Sequence, residues 1–296
     1  MTKNTSKIFF LFLIIHLFVW TLIPSLTNVN LPLDTIEALA WGSNLDWGFN
    51  KHPPMSAFAV ELFYQVFGSQ DWAYYFLSQI FVISTFFVVW IFSKEFFKNQ
   101  NYCLISVLLL EGVYFYNFTT PEFNVNVCQL PFWSLTVYYS WKIYNVKEIK
   151  FLDCFLVGLF AAFGFLSKYL FIYLLASIDL LFIYLIFFKK ERKFDFKYLI
   201  TIEVFLVVLV PHFIWLYNND FITITYGLAR TGLEQSNFID HIKFPIIFLL
   251  KQVGILIPFF ILSWLLVKKI RLNLKFKDKK LLFLVAINIL PIVLMF

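Results

Sequence analysis

Long apolar runs recur through this chain at residues 8–25, 72–93, 102–118, 124–144, 151–167, 170–188, 198–217, 244–267 and 281–296. A helix that crosses a bilayer needs about 20 mostly apolar residues. The chain is therefore expected to be an all-α polytopic membrane protein of about nine spans. Composition agrees: 14% of residues are charged and mean hydropathy is +0.79, where soluble domains carry about 25% charged residues. The first run is long and lacks a small-x-small cleavage site, so an uncleaved span is expected there rather than a signal peptide. The 41 Phe residues follow no stripe and read as packing and lipid-facing bulk. Cys103, Cys128 and Cys154 lie in apolar stretches and read as small hydrophobes, not as a disulfide framework. The ninth run stays apolar to the last residue, from which an incomplete chain is expected.

Basic residues give an orientation. With the N-terminus in the cytoplasm, nineteen of the 24 Lys and Arg fall in inside loops, at Lys3 and Lys7, at Lys94 and Lys98, and in clusters around residues 142–150, 189–197 and 268–280. The net charge of +6 then suits an anionic leaflet and membrane lipids, and does not imply nucleic acid. Residues 1–296 read as one transmembrane domain. Residues 27–71 form its first extracytoplasmic loop, with helices lying at the membrane surface. Acidic residues, among them Asp34, Glu37, Asp46, Asp71, Glu122, Asp220, Glu234 and Asp240, collect in or beside the outer loops.

Five outer features carry chemistry or plain structure, and each has both readings. Asp34 and Glu37 share one helix face at a spacing of three. They read as an acid–base pair or as a capping box with Asp34 at N-cap. Lys51-His52-Pro53-Pro54 opens a helix running to about Phe67. Cations at a helix N-terminus suit a phosphate, or Lys51 meets lipid headgroups. Thr120-Pro121-Glu122 reads as an N-cap with proline at N1, or Glu122 supplies a third carboxylate to a metal or hydroxyl site. Lys168, in Gly164-Phe165-Leu166-Ser167-Lys168-Tyr169, either snorkels to the interface or contacts an anion. His212 follows Pro211 and reads as a packed residue, with Asn219, Asp220 and Arg230 beyond it. No Walker loop, G-x-G-x-x-G, H-E-x-x-H or S-x-x-K motif appears. A transporter would show ionisable groups deep in the spans, for which Glu111 and Asp179 are the candidates, together with an inverted repeat that the chain lacks.

In order, these motifs resemble the GT-C superfamily of polytopic glycosyltransferases, and most closely its bacterial branch related to protein O-mannosyltransferases and the lipid A aminoarabinose transferase. The likeness runs over roughly residues 8–230, through Leu33-Asp34-Thr35-Ile36-Glu37, Lys51-His52-Pro53-Pro54, Thr120-Pro121-Glu122, Gly164 to Tyr169, and Pro211 to Trp215. It departs where Thr35 follows Asp34 in place of a second acid, and where Glu122 replaces the commoner Asp. The resemblance implies a bacterial plasma-membrane enzyme that moves a hexose or pentose from a polyprenyl-phosphate donor to a hydroxyl of a lipid, glycan or protein at the extracytoplasmic face. It implies Asp34 as general base with Glu37 beside it, and Lys51, His52, Lys168 and Arg230 on the donor phosphate. Glu122, with Asp34, permits a divalent cation without requiring one. The alternatives are a polytopic transporter or a catalytically inactive scaffold of the same fold.

Overall fold

A computed structural model describes residues 2–230, 239–267 and 278–295. Glu234, Lys268, Lys269, Arg271, Lys275 and Lys277 lie outside the described residues. Among the described residues the chain is helical without strands: α1 Thr2–Thr27, α2 Leu33–Gly42, α3 Met55–Phe67, α4 Asp71–Ser93, α5 Gln100–Leu108, α6 Val125–Asn145, α7 Phe151–Ser167, α8 Ile172–Ile183, α9 Lys197–Asn218, α10 Ile222–Arg230, α11 Asp240–Ile255, α12 Ile257–Leu266 and α13 Lys279–Leu294. The all-α polytopic membrane architecture expected from hydropathy is present. Among the described residues five helical stretches, Asn4–Thr27, Asp71–Ser93, Tyr169–Phe188, Lys197–Asn218 and Asp240–Leu266, are both long and apolar enough to span.

The run at 102–118 departs from a single helix. After α5 the chain tightens into 3₁₀ turns at Leu109–Gly112 and Tyr114–Tyr116. The cause is tertiary. Glu111 reaches across to α1, where its Oε1 lies 2.6 Å from His16 Nδ1, and its Oε2 accepts from Asn117 Nδ2 at 3.1 Å. A carboxylate among apolar helices needs such partners, so Glu111 takes part in a structural network. Gly112 beside it meets the backbone of Phe259, and a Cβ there would sit 2.6 Å from Phe259 Cα.

Four apolar clusters hold the bundle among the described residues, two of them large. One joins α1, α4, α5 and α6, with Phe9 stacked on Trp90 at 4.5 Å. The other joins α6, α8 and α13 around Trp141, Phe171 and Phe283. Phe residues serve both sides of the bundle: Phe9, Phe86 and Phe283 are fully buried, while Phe18, Phe187 and Phe260 face outward, as lipid contact requires. Close helix approach uses small residues, as is usual in membranes. A Cβ on Gly158 of α7 would come within 2.5 Å of the Thr201 carbonyl on α9. Between α4, α6 and α13 runs an apolar groove of about 380 Å³, lined by residues such as Val88, Phe92, Trp133 and Leu284.

Polar contacts gather at the two ends of the bundle. At one end, Arg192 donates to the carbonyls of Ile143, Tyr144 and Val146, capping the C-terminus of α6. There too Lys142 pairs with Asp153 at 3.4 Å and Lys280 donates to the Glu95 carbonyl. The opposite end brings together α2, the loop before α3, the start of α6, the break after α7 and the end of α9.

Candidate active site

α2 starts after Pro32, whose ring fixes φ at −60° and leaves no side chain to cap the helix. Its first turn therefore needs an acceptor from elsewhere. Glu122 supplies it, accepting the Asp34 N–H on Oε1 at 3.2 Å. A carboxylate at a helix N-terminus also meets the favourable end of the dipole. Next to it, the buried Thr35 hydroxyl donates to the Phe123 carbonyl at 3.2 Å. Segments 88 residues apart in sequence are thereby joined, with Asp34 at the seam.

Both capping expectations are corrected. Asp34 lies inside the first turn of α2, one residue past the start, and is not its N-cap. Glu37 does not reach back to the helix start; it forms an ion pair with Lys51. Nor does Thr120-Pro121 open a helix. Thr120 is consumed elsewhere: its hydroxyl donates to the Asn117 carbonyl and accepts from Gln79 Nε2, and its carbonyl accepts from the Ser78 hydroxyl. α6 begins five residues after Thr120, at Val125, and its N-cap is Asn124, whose Oδ1 accepts from the N–H groups of Asn126 and Val127. Asparagine is among the strongest N-cap residues, so Asn124 was the local signal. Its Nδ2 also approaches Glu122 Oε2 at 3.4 Å, which steadies that carboxylate.

Lys51 and His52 precede α3, whose N-cap is Pro54. The hydrogen bond to Glu37 pushes the Lys51 ammonium above its ordinary value. His52 packs edge-on against Trp41 at 5.9 Å, and Trp41 stacks on Phe49 at 5.3 Å. Burial, followed by the nearby Lys168 charge, holds the imidazole below its ordinary 6.5, against the pull of Asp34 and Glu37. Lys168 sits in extended backbone between α7 and a 3₁₀ turn. Its Nζ donates to Asn126 Oδ1 at 2.6 Å, and burial lowers its pKa. Asp34, Glu37, Trp41, His52, Ser56, Asn124 and Val125 line one narrow cleft.

Arg230 ends α10, exposed, with its guanidinium 5.8 Å from the ring of Tyr226, which in turn acts electrostatically on Lys51. A cation shared by Asp34 and Glu122 would need further donors, and among the described residues no three His, Cys, Asp or Glu side chains converge. Two carboxylates leave the remaining donors to substrate phosphate and water, as magnesium sites usually do.

His212 is the residue whose position the sequence undervalued. It is fully buried, with Nδ1 2.5 Å from the Trp47 carbonyl and Nε2 2.7 Å from the Tyr169 hydroxyl. A carbonyl only accepts, so Nδ1 carries the proton and Nε2 accepts from Tyr169. Beside it, Gly48 lies so close to the Trp215 ring that any Cβ would overlap it. Thr223 of α10 donates to the Phe49 carbonyl at 2.5 Å. The loop that carries Lys51 and His52 is therefore anchored by α9, α10 and the residue after Lys168.

The low pKa of His52 has a consequence for stability. Below pH 6.5 the unfolded chain takes up a proton at this position that the folded chain still refuses, so stability falls as pH drops through that value. Thermal melting from about pH 7.5 to about pH 5 is expected to show a shallower acid decline in His52→Gln than in the wild type. Identical slopes would remove His52 as the cause.

Residues 51–215 match the family described as dolichyl-phosphate-mannose-protein mannosyltransferase. That stretch contains Lys51, His52, Glu122, Lys168 and His212, while Asp34 and Glu37 precede it and Arg230 follows it. Comparison with curated proteins and with solved structures returns no match. The match spans more than half of the chain, and the helices and ordered motifs agree with it: the chain belongs to the dolichyl-phosphate-mannose-protein mannosyltransferase family, and with it to the GT-C superfamily of membrane-integral glycosyltransferases that use polyprenyl-phosphate sugars.

Proposed function

We propose that this protein transfers a hexose or pentose from a polyprenyl-phosphate donor to a hydroxyl of a lipid, glycan or protein acceptor at the extracytoplasmic face of a bacterial plasma membrane. The observation that carries the reading is the cleft itself. Asp34, Glu37 and His52 line it, and Glu122 holds the backbone of Asp34 from a distant segment. Asp34 takes the proton of the acceptor hydroxyl as its oxygen bonds to the anomeric carbon. The bond from that carbon to the phosphate oxygen breaks, and polyprenyl phosphate leaves as an anion. Lys168 and Lys51 meet the charge that develops on the leaving phosphate, and Lys51 does so by exchanging Glu37 for phosphate. His52, largely neutral at pH 7, offers a hydrogen bond and not a second positive charge. The groove between α4, α6 and α13 suits isoprenoid units of the donor tail. The sidedness rests on the basic residues at the other end of the bundle, Lys142, Arg192, Lys197 and Lys280 among them, which fit a cytoplasmic surface.

The test is transfer in sealed vesicles of known orientation from labelled polyprenyl-phosphate mannose, with Lys51→Met beside the wild type. Loss of one charged hydrogen bond to phosphate, about 1.5–3 kcal/mol, should lower kcat/KM about 10- to 100-fold, through KM where Lys51 holds the bound phosphate and through kcat where it meets the charge that develops on it. A wild type that releases no polyprenyl phosphate with any offered acceptor fraction would defeat the reading. Equal kinetics in Lys51→Met would remove Lys51 from the donor site.

A further inference from the structure

Ser56 is the second residue of α3, is 1% exposed, and its hydroxyl has no hydrogen-bond partner. Serines near helix starts usually bond a backbone group nearby. Here the His52 carbonyl, four residues back, accepts from the Phe49 N–H at 3.1 Å and makes no bond with Ser56. A buried hydroxyl left unpaired costs about 1–3 kcal/mol, and such a group in a native structure calls for a reason. Ser56 is also part of the wall of the cleft formed with Asp34, Trp41, His52 and Asn124.

Size and charge narrow what enters. The free volume is about 10 Å³, the room of one water-sized group, which admits a single hydroxyl and excludes a phosphate with its several oxygens. Lys51 is matched by Glu37, so the Asp34 carboxylate leaves the lining short of positive charge. A carboxylate beside a free hydroxyl favours an O–H guest, which donates to the one and bonds the other.

We propose that Ser56 is a specificity-determining contact for the donor sugar, its hydroxyl receiving one sugar hydroxyl between itself and one carboxylate oxygen of Asp34, whose other oxygen serves the acceptor hydroxyl outside this small space. This rests on the glycosyltransferase reading of the cleft and adds to it a seat for the sugar distinct from that of the phosphate. A site built to bond a particular hydroxyl discriminates against a substrate that lacks it.

The experiment uses the full chain in vesicles with polyprenyl-phosphate mannose and its four monodeoxy analogues. The wild type should disfavour one analogue by about tenfold or more in kcat/KM. Ser56→Ala should lower kcat/KM for the parent donor by about tenfold and bring that analogue level with it, while the other three ratios stay as they were. Its melting temperature should not fall, because the hydroxyl removed has no partner in the free protein. Ser56→Cys, nearly isosteric with a weaker donor, should fall between the two and provides the measurement if the alanine variant does not fold. Discrimination that survives Ser56→Ala, changes equally for all four analogues, or is absent from the wild type overturns the proposal and leaves the glycosyltransferase reading intact. A wild type that transfers from none of these donors, nor from other polyprenyl-phosphate hexoses and pentoses, overturns both.

Discussion

Asp34→Asn is expected to lower the rate of sugar transfer by about 10²- to 10⁴-fold, the usual worth of a positioned general base. The fold should persist, because Glu122 holds Asp34 through its backbone N–H, which asparagine retains. Volume is almost unchanged and only the proton-accepting capacity goes. KM for the donor should move little, since the lost interaction belongs to the transition state and not to ground-state binding. Glu37→Gln provides the contrast. Glu37 is engaged with Lys51, so its loss should act on donor binding more than on kcat. Initial rates with labelled polyprenyl-phosphate mannose, alongside melting temperatures in detergent, separate these outcomes. If Asp34→Asn turns over at the wild-type rate, the base is a different residue.

His212→Leu should be the most damaging change away from the reacting groups. The substitution takes away the partner of the Trp47 carbonyl and one of the two partners of the half-buried Tyr169 hydroxyl, Thr223 being the other. With one group left unpaired, the loss is about 1–3 kcal/mol. It also frees the loop that carries Lys51 and His52, so KM for the donor should rise in whatever fraction still folds. His212→Gln, whose amide can donate to one partner and accept from the other, should recover part of both losses. Thermal unfolding of the three proteins checks the order. Equal stability of Leu and Gln variants would mean that packing against Trp215, 6.3 Å away and nearly parallel, is what His212 provides.

These two residues show how far a linear reading extends. Asp34 stood out because an acid three residues from another, at the start of an apolar helix, is a local pattern. His212 did not, because its value depends on Trp47, 165 residues earlier. The same divide separates the helices. α7 occupies the full apolar run at Phe151–Ser167, where hydropathy alone sets the bounds. The run at 102–118 breaks into 3₁₀ turns because Glu111 finds His16 on another helix, 95 residues away. At residues 120–125 a proline signal lost to Asn124, since the Thr120 side chain and carbonyl were already engaged by α4.

From its sequence alone this protein is membrane-embedded and helical, with an ordered set of acidic and basic motifs between its apolar runs. Those properties follow from side-chain transfer energies and from turn chemistry acting within a few residues. Only the tertiary structure decided that Glu37 neutralises Lys51, that Glu122 serves the start of α2 in place of its own helix, and that Ser56 faces the cleft unpaired. Each of these depends on which helix ends meet. That is settled by close approach at small residues such as Gly158 and by the need of every buried polar group for a partner, and neither is encoded in the spacing of residues along the chain.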